Sequence, residues 1–301
     1  MNRYTKDNLV FWLFLAPALL SFAIVVVIPF FMGVYYSMTD WTAVSGQQVN
    51  WVGFANYKDM FSDFAFQYSF FRTFLFTILS VMAINGVALT LAVLVTREIK
   101  FKSFYRAGFF VPNLIGGLVL GYIWQFIFKS VIPDFGALIG SNAIEELLLL
   151  SDPTLTLFGL IFAFTWQYAG YIMMIYVAAL LNVPQELIEA SQIDGANYIN
   201  RFRHITVPMI AQAFTITSFL TLVNSFKQYD IIVALTNGGP SDIFNGNIVN
   251  STELLSMHIY NVAFKFNNMA EGQARAIIFF LVLSVVSIGQ VYYNKKKEVE
   301  V

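Results

Sequence analysis

The stretch ELIEASQIDGANYINRFRHITVP, residues 186–208, is a polar interruption in a strongly apolar chain. Of the 301 residues, 58% are hydrophobic and 12% are charged. This is more apolar side chain than a soluble core of that size can bury. The composition therefore predicts a membrane protein, in which the quoted stretch connects two membrane spans.

Six apolar runs are long enough to form the spans, since a helix needs about 20 apolar residues to cross the hydrocarbon core. We predict an all-α polytopic membrane protein with six transmembrane helices in a single domain, residues 1–301. The predicted spans are residues 9–36, 73–96, 105–128, 155–181, 209–235 and 274–293. The first run holds Pro17 and Pro29 and lacks a small-residue cleavage site, so we interpret it as a retained span and not as a signal peptide.

The distribution of Lys and Arg predicts the orientation, because short cytoplasmic loops retain these residues. With the N-terminus inside, eleven of the seventeen are cytoplasmic: Arg3, Lys6, Arg97, Lys100, Lys102, Arg106, Arg201, Arg203, Lys295, Lys296 and Lys297. The other six are scattered over the external loops and their borders: Lys58, Arg72, Lys129, Lys227, Lys265 and Arg275. Both termini and the loop 184–208 are therefore expected in the cytoplasm.

Within this loop the pattern predicts two short helices joined at a glycine. Pro184 suits the first helical turn, and Glu186 places a negative charge at the positive end of the helix dipole. One narrow face is formed by residues three and four apart: Leu187, Ala190, Ser191 and Asp194. Gly195 can adopt the positive φ that ends a helix.

A second helix would begin at Ala196 or Asn197 and lead to Pro208, at the entrance to the fifth span. On periodicity alone, the loop is equally compatible with an amphipathic connector lying on the membrane surface. A DNA-binding helix pair is disfavoured, because the loop has only two arginines and is tethered to a membrane.

The loop resembles the EAA loop of the integral membrane permeases of binding-protein-dependent ABC importers. That family shows Glu-Ala-Ala, three residues, Gly and an Ile-Thr-Leu-Pro ending. The matching positions are Glu189, Ala190, Ser191, Asp194, Gly195, Ala196, Phe202, Ile205, Thr206, Val207 and Pro208. Ser191 replaces the second Ala and Val207 replaces Leu, and both replacements are of similar size.

Four further stretches resemble the carbohydrate-uptake, maltose-type group of these permeases. They are WVGFANYKDMF (51–61), YDIIVALTNGGP (229–240), IYNVAF (259–264) and GQARA (272–276). The segment SDIFNGNIVNSTELL that follows Pro240 is longer than the usual connection of the group, and the pattern does not predict its shape.

The resemblance implies a permease that docks through its EAA loop on a separate ATPase. The coupling residues would be Glu189, Ala190, Ser191, Asp194, Gly195, Ala196, Phe202 and Pro208. The implied partners are a second related permease subunit, a cytoplasmic ATPase dimer that binds ATP and Mg, an extracytoplasmic solute-binding protein and a carbohydrate substrate. The expected location is the inner or plasma membrane of a prokaryote.

No motif suggests that the chain is an enzyme or binds a cofactor. It lacks a G-x-x-x-x-G-K-[ST] phosphate loop and has no cysteine. His204 and His258 are predicted on opposite sides of the membrane, so they cannot share a metal. The net charge of -1 gives no indication of nucleic acid.

A sugar pathway needs amide, hydroxyl and aromatic side chains with little net charge. The fifth-span candidates are Asn224, Lys227, Gln228, Tyr229 and Asp230. Lys227 and Asp230, three residues apart, are equally suited to neutralising each other. In the third and fourth spans the candidates are Trp124, Gln125, Trp166, Gln167 and Tyr168, for which we favour roles as membrane anchors and interhelical bonds.

The alternative function is an ion-coupled secondary transporter of a small polar solute. Such transporters need ionisable groups within their spans. The predicted spans are almost free of them, which disfavours this class.

Overall fold

The computed structural model describes residues 3–44 and 48–296, and Lys297 of the predicted cytoplasmic C-terminus lies outside them. Its helices are α1 (Arg3–Phe22), α2 (Ile28–Tyr36), α3 (Ala55–Ser62), α4 (Phe64–Thr96), α5 (Lys102–Phe110), α6 (Gly117–Phe126), α7 (Ile132–Leu138), α8 (Asn142–Glu145), α9 (Pro153–Leu181), α10 (Gln185–Ile193), α11 (Tyr198–Arg201), α12 (Val207–Met209), α13 (Ala211–Phe226), α14 (Asp230–Leu235), α15 (Leu255–Tyr260) and α16 (Met269–Lys295). Strands β1 (Ser241–Phe244) and β2 (Asn247–Asn250) form an antiparallel hairpin.

The predicted helical membrane architecture is confirmed in its main features. In the described residues, five helical runs are long and apolar enough to span a membrane: Val10–Tyr36, Phe64–Thr96, Gly117–Leu138, Pro153–Leu181 and Met269–Lys295. The pair Tyr198–Met209 and Ala211–Phe226 is a sixth candidate, bent by 69°. The second and last helices both begin earlier than the predicted spans.

The predicted third span, residues 105–128, is wrong at both ends. α5 is a separate helix that leads into a 3₁₀ turn, Val111–Leu114, and the span begins only at Gly117 and continues to Leu138. Pro112 has no amide hydrogen to continue a helical ladder, so the chain turns there. Apolar composition alone did not reveal this break.

The predicted fifth span, residues 209–235, is wrong as a single helix. It bends at Ile210, between α12 and α13, and breaks again after Phe226, so that α14 begins only at Asp230. The second break lets α14 approach α6 closely. A Cβ atom at Gly121 would lie 2.5 Å from the Cβ of Ala234, so this packing requires glycine.

Three helical runs contain a π-helical turn that ends just before a proline. The π-helical turn Ala23–Val27 precedes Pro29, Ile127–Val131 precedes Pro133 and Phe202–Thr206 precedes Pro208. In each case the proline is the second residue after the turn. Proline cannot donate to the ladder, and its ring collides with the carbonyl four residues earlier. The wider turn relieves this conflict, so the helices continue through the prolines.

By its contacts the chain forms two units. One contains the residues up to Asp63 together with Ile259–Phe280, and the other contains Phe64–His258 and the residues from Leu281 onward. In the first unit, the buried guanidinium of Arg275 pairs with the carboxylates of Asp63 at 2.9 Å and Glu271 at 2.7 Å. Two partners for one buried cation compensate its lost hydration.

The core of the second unit is built around α4 and α9, which pack along each other. Small residues allow this approach, and Ala88, Ala92 and Ala163 are fully buried. Seven residues after Ala163 on α9, Gly170 lies under the backbone of α5: a Cβ atom there would be 1.7 Å from the carbonyl oxygen of Phe109. Glycine at this position therefore fixes where α5 crosses α9.

The segment after Pro240, whose shape the sequence pattern left open, is the β-hairpin. Its two-residue turn, Asn245-Gly246, has φ values of 51° and 79°. Positive φ at both central residues is typical of a type I′ turn, and Asn-Gly is its preferred sequence. This signal was present in the sequence.

We expect Gly121→Leu to destabilise the protein, because the larger side chain must separate α6 from α14. Overpacking of this kind costs about 1 to 3 kcal/mol. Thermal unfolding of the detergent-purified chain should show a lower midpoint.

The matched control is Gly86→Leu. A Cβ atom at Gly86 meets nothing within 4 Å, so this variant should retain the wild-type midpoint. An unchanged midpoint for Gly121→Leu would contradict the close packing.

Candidate functional site

The polar loop folds as a helix, a tight turn and a second helical segment. α10 begins directly after Pro184, as predicted, and ends before Gly195, which has the predicted positive φ, +80°. The Gly195 amide donates to the Gln192 carbonyl at 3.1 Å, and the Ala196 amide donates to the Ser191 carbonyl at 2.9 Å. This pair of bonds is a Schellman motif, which requires the left-handed residue at its centre.

Space does not explain the glycine at this turn. A Cβ atom at Gly195 would meet nothing within 4 Å. The backbone conformation alone therefore favours glycine, and asparagine is the other residue commonly found at such a position.

The second helical segment has a side-chain cap at its beginning and contacts Arg97, the residue after α4. The Asn197 side chain accepts a hydrogen bond from the Asn200 amide at 2.8 Å, and α11 begins at Tyr198. The Tyr198 ring stacks on Phe202, and the Arg97 guanidinium lies 5.4 Å from the Tyr198 ring centroid. The chain after α4 and the polar loop therefore lie at the same end of the helical bundle.

The proposed coupling residues differ in their exposure. Glu189, Ala190, Asp194 and Gly195 are exposed, whereas Ala196, Phe202 and Pro208 are half-buried. Ser191 is buried, and its hydroxyl donates to the Ile188 carbonyl at 2.7 Å. The Ser191 hydroxyl is therefore bonded within α10, and the predicted part of this small residue in close approach to a partner stays a prediction.

Two residues of this loop were missed by the sequence reasoning. The side chains of Ile193 and Ile199 are 87% and 72% exposed, on either side of the Gly195 turn. Exposing isoleucine side chains to water is energetically unfavourable. Two such side chains in a polar loop are typical of a surface that another protein covers. For Ile193, the signal available in the sequence was its position outside the narrow face of α10.

The fifth-span candidates cluster at the other end of α13, around its break. Lys227 and Asp230 are exposed, Asn224 and Tyr229 are half-buried and Gln228 is buried. The Gln228 carbonyl accepts a hydrogen bond from the Ser256 hydroxyl. Among the described residues, no ion pair joins Lys227 to Asp230, so the structure does not show the first of the two alternatives, mutual neutralisation.

The two glutamines of the third and fourth spans stabilise helix ends, as we favoured. The Gln167 amide donates to the Ile115 carbonyl at 3.0 Å, in the break before α6. The Gln125 amide donates to the Leu235 carbonyl at 3.0 Å, at the end of α14. Each therefore satisfies a carbonyl that the helical ladder leaves free.

A buried polar network positions α13 and was not predicted. The Tyr176 hydroxyl donates to the Asn85 side-chain oxygen at 2.8 Å and accepts from the Thr217 hydroxyl at 2.8 Å. The Asn85 amide donates to the Thr221 hydroxyl at 3.0 Å. These bonds join α4, α9 and α13, so the helix between the polar loop and the fifth-span candidates is held on both sides.

Residues 84–298 match the family of binding-protein-dependent transport system inner membrane components. The chain belongs to this family. It is 43% identical to the probable starch degradation products transport system permease protein AmyD of Thermoanaerobacterium thermosulfurigenes, over 99% of this chain and 98% of that protein. It is 30% identical to the multiple sugar-binding transport system permease protein MsmF of Streptococcus mutans serotype c, over 96% of each.

The fold is also that of a solved ABC importer. A chain in the crystal structure of a bacterial ABC transporter involved in import of the acidic polysaccharide alginate superposes with a TM-score of 0.78. The two chains are 20% identical, and the match covers 98% of this chain and 99% of the other. At that identity the likeness shows the fold alone.

Family membership settles the broad class of the protein. The chain is a multi-pass membrane permease subunit of an ABC transporter and is not itself catalytic. The family assignment replaces the alternative of an ion-coupled secondary transporter.

Proposed function

We propose that this chain is the permease subunit of a sugar importer and forms half of its translocation pathway together with a second, related permease. The supporting observation is the 43% identity, over nearly the whole chain, to a permease named for starch degradation products. The solute would be delivered by an extracytoplasmic binding protein, and a cytoplasmic ATPase dimer would bind ATP and Mg. This chain itself would bind no cofactor.

The orientation proposed from the Lys and Arg distribution is supported by the way the chain is connected. Arg97 contacts Tyr198, so two of the basic segments lie at one end of the bundle. We assign that end and both termini to the cytoplasm of a prokaryotic cell, with the hairpin β1–β2 on the outer side of the inner or plasma membrane.

The exposed polar loop is the proposed contact with the ATPase. Glu189 and Asp194 offer carboxylates for charge-assisted hydrogen bonds, while Ile193 and Ile199 offer apolar area. A helix of about three turns is small for a stable interface, so neighbouring residues such as Arg97 would extend the contact. The roles of Ala190, Ala196, Phe202 and Pro208 would be to hold the loop and allow close approach.

The break after α13 is the proposed part of the sugar pathway. Here Asn224 and Tyr229 are half-buried; amide groups can bind sugar hydroxyls, and aromatic rings can pack on the C–H faces of a sugar. Lys227 and Asp230 are exposed at the same place, with opposite charges. Gln228 is buried and would act by shaping the break.

The substrate class can be tested with the purified complex of both permeases, the ATPase and the binding protein in proteoliposomes. We expect starch-derived oligosaccharides to stimulate ATP hydrolysis and to be taken up, because the similarity to AmyD covers nearly the whole chain. sn-Glycerol 3-phosphate serves as a comparison, since a related permease of Agrobacterium fabrum is named for that solute. Stimulation by the phosphate ester alone would contradict a sugar pathway, and uptake driven by an ion gradient without ATP would contradict the whole assignment.

Gly195→Val should uncouple transport while leaving the permease in the membrane. A β-branched residue at positive φ costs about 1 to 2 kcal/mol or more, so the turn after α10 would rearrange and misdirect the loop. We expect unchanged membrane abundance, reduced copurification of the ATPase and loss of ATP-driven uptake. Glu189→Ala should show the same defects in milder form.

Gly195→Asn is the matched variant, since asparagine tolerates the left-handed conformation and the site has open space. It should retain most of the ATPase binding and uptake. Normal uptake with Gly195→Val would reduce the loop to a surface connector. Loss of the permease itself would show that the glycine serves folding.

Asn224→Ala should alter sugar uptake without affecting assembly, because a half-buried amide at the break is proposed to contact the substrate. We expect a higher KM, with normal membrane abundance and ATPase copurification. Gln212→Ala, at an exposed position near the start of the same helix, is the control and should leave uptake unchanged. Unaltered uptake kinetics of Asn224→Ala would exclude this residue from the pathway.

A further inference from the structure

An apolar groove runs along the outside of the second unit, beginning beside α5. It has a volume of about 560 Å³ and is lined by α4, α5 and α9, with Leu91, Phe104, Gly108 and Trp166 among its walls. Its surface is almost entirely apolar. Gly108 leaves it open on the α5 side, because a Cβ atom there would meet nothing within 4 Å.

A second apolar cavity of about 650 Å³ extends the groove toward the other side of the bundle. The two share Val87, Phe162 and Thr165, and the second reaches Phe158. From Gly170, where α5 crosses, to Phe158 the helix α9 rises about 18 Å at 1.5 Å per residue. This length and this composition suit a lipid acyl chain.

Basic side chains lie at the α5 end of the groove. Lys100 and Lys102 are exposed, and among the described residues neither has an ion-pair partner. Arg97 and Arg106 are close in sequence but are engaged by Tyr198 and by the Val95 carbonyl, and Glu98 is the one carboxylate of this segment. The segment 97–106 therefore has a clear excess of positive charge.

Exposed aromatic residues accompany the lysines. The side chains of Phe101 and Phe104 are 78% and 73% exposed, and Tyr105 is 45% exposed. Aromatic rings next to Lys residues are typical of a helix that lies in the headgroup region of a bilayer. The beginning of α5, which was predicted to belong to the third span, thus has the composition of the membrane–water interface.

We propose that the groove and α5 together form a binding site for an anionic phospholipid. The acyl chain would occupy the groove from Phe104 toward Phe162, and the headgroup phosphate would lie beside Lys100 and Lys102. Charge complementarity favours this occupant over a helix of another subunit, because an apolar helix would gain nothing from the lysines at the mouth of the groove.

The site can be tested in the assembled transporter, because the chain has no cysteine and a single one can be labelled. In Gly108→Cys, a bimane fluorophore attached to the cysteine lies in the groove. In the control variant, Gly289→Cys, the fluorophore replaces another exposed glycine of a helix, where a Cβ atom also meets nothing within 4 Å. Both proteins are placed in nanodiscs of mixed phosphatidylcholine and phosphatidylglycerol, with bromines on the acyl chains of one lipid or the other.

For each lipid we measure the mole fraction of its brominated form that gives half-maximal quenching at Gly108→Cys. We expect this fraction to be at least about fivefold lower for phosphatidylglycerol than for phosphatidylcholine, because each Lys near an anionic lipid contributes a factor of roughly this size to binding. At Gly289→Cys the two lipids should be equivalent. Lys100→Gln/Lys102→Gln should abolish the preference at Gly108→Cys, whereas Lys295→Gln/Lys296→Gln should preserve it.

Two results would overturn the proposal. Equal quenching by both lipids at Gly108→Cys would mean an unselective lipid surface. Absence of quenching by either lipid, with normal quenching at Gly289→Cys, would mean that a protein segment covers the groove. If the cysteine variant does not assemble, native mass spectrometry can compare the phosphatidylglycerol retained by the wild-type complex and by the Lys100→Gln/Lys102→Gln complex. The proposal expects the double variant to retain less, and equal retention would contradict it.

Discussion

A lipid bilayer offers no hydrogen-bond partners to peptide groups, so every helix that stops within it must be completed by the chain itself. The breaks in this permease follow that constraint. Gln167 donates to the free carbonyl of Ile115 before α6, and Gln125 donates to the carbonyl of Leu235 at the end of α14. These amides make interrupted helices possible, and the interruptions in turn create the close contact of α6 with α14.

The same constraint explains how the prolines are accommodated. Pro29, Pro133 and Pro208 each follow a π-helical turn, which moves the conflicting carbonyl away while the helix continues. The bend at Ile210 then gives α13 its own direction, and the buried network of Asn85, Tyr176 and Thr217 holds it there. In the proposed function, movement of the polar loop would be transmitted through this helix to the break at Lys227.

α5 has nine residues and is too short to cross the membrane by itself. Its place beside α9 depends on Gly170, where no side chain separates the two backbones. The resulting arrangement leaves an open groove next to Lys100 and Lys102. A helix in this position connects the lipid environment with the end of the bundle that carries the polar loop.

By itself, the sequence determined the helical membrane class, the approximate positions of most spans and, through the motif in the loop 184–208, the family. These features depend on local composition and on short motifs; the positive φ of Gly195, for example, follows from the needs of a helix end. The sequence also contained the Asn245-Gly246 turn of the hairpin, although the pattern was not used. Only the tertiary structure decided that residues 105–116 do not belong to the third span, that the fifth span is broken and that Ser191 is buried while Ile193 is exposed. These features depend on contacts between residues distant in the chain, such as Gln167 with Ile115, which composition and periodicity do not encode.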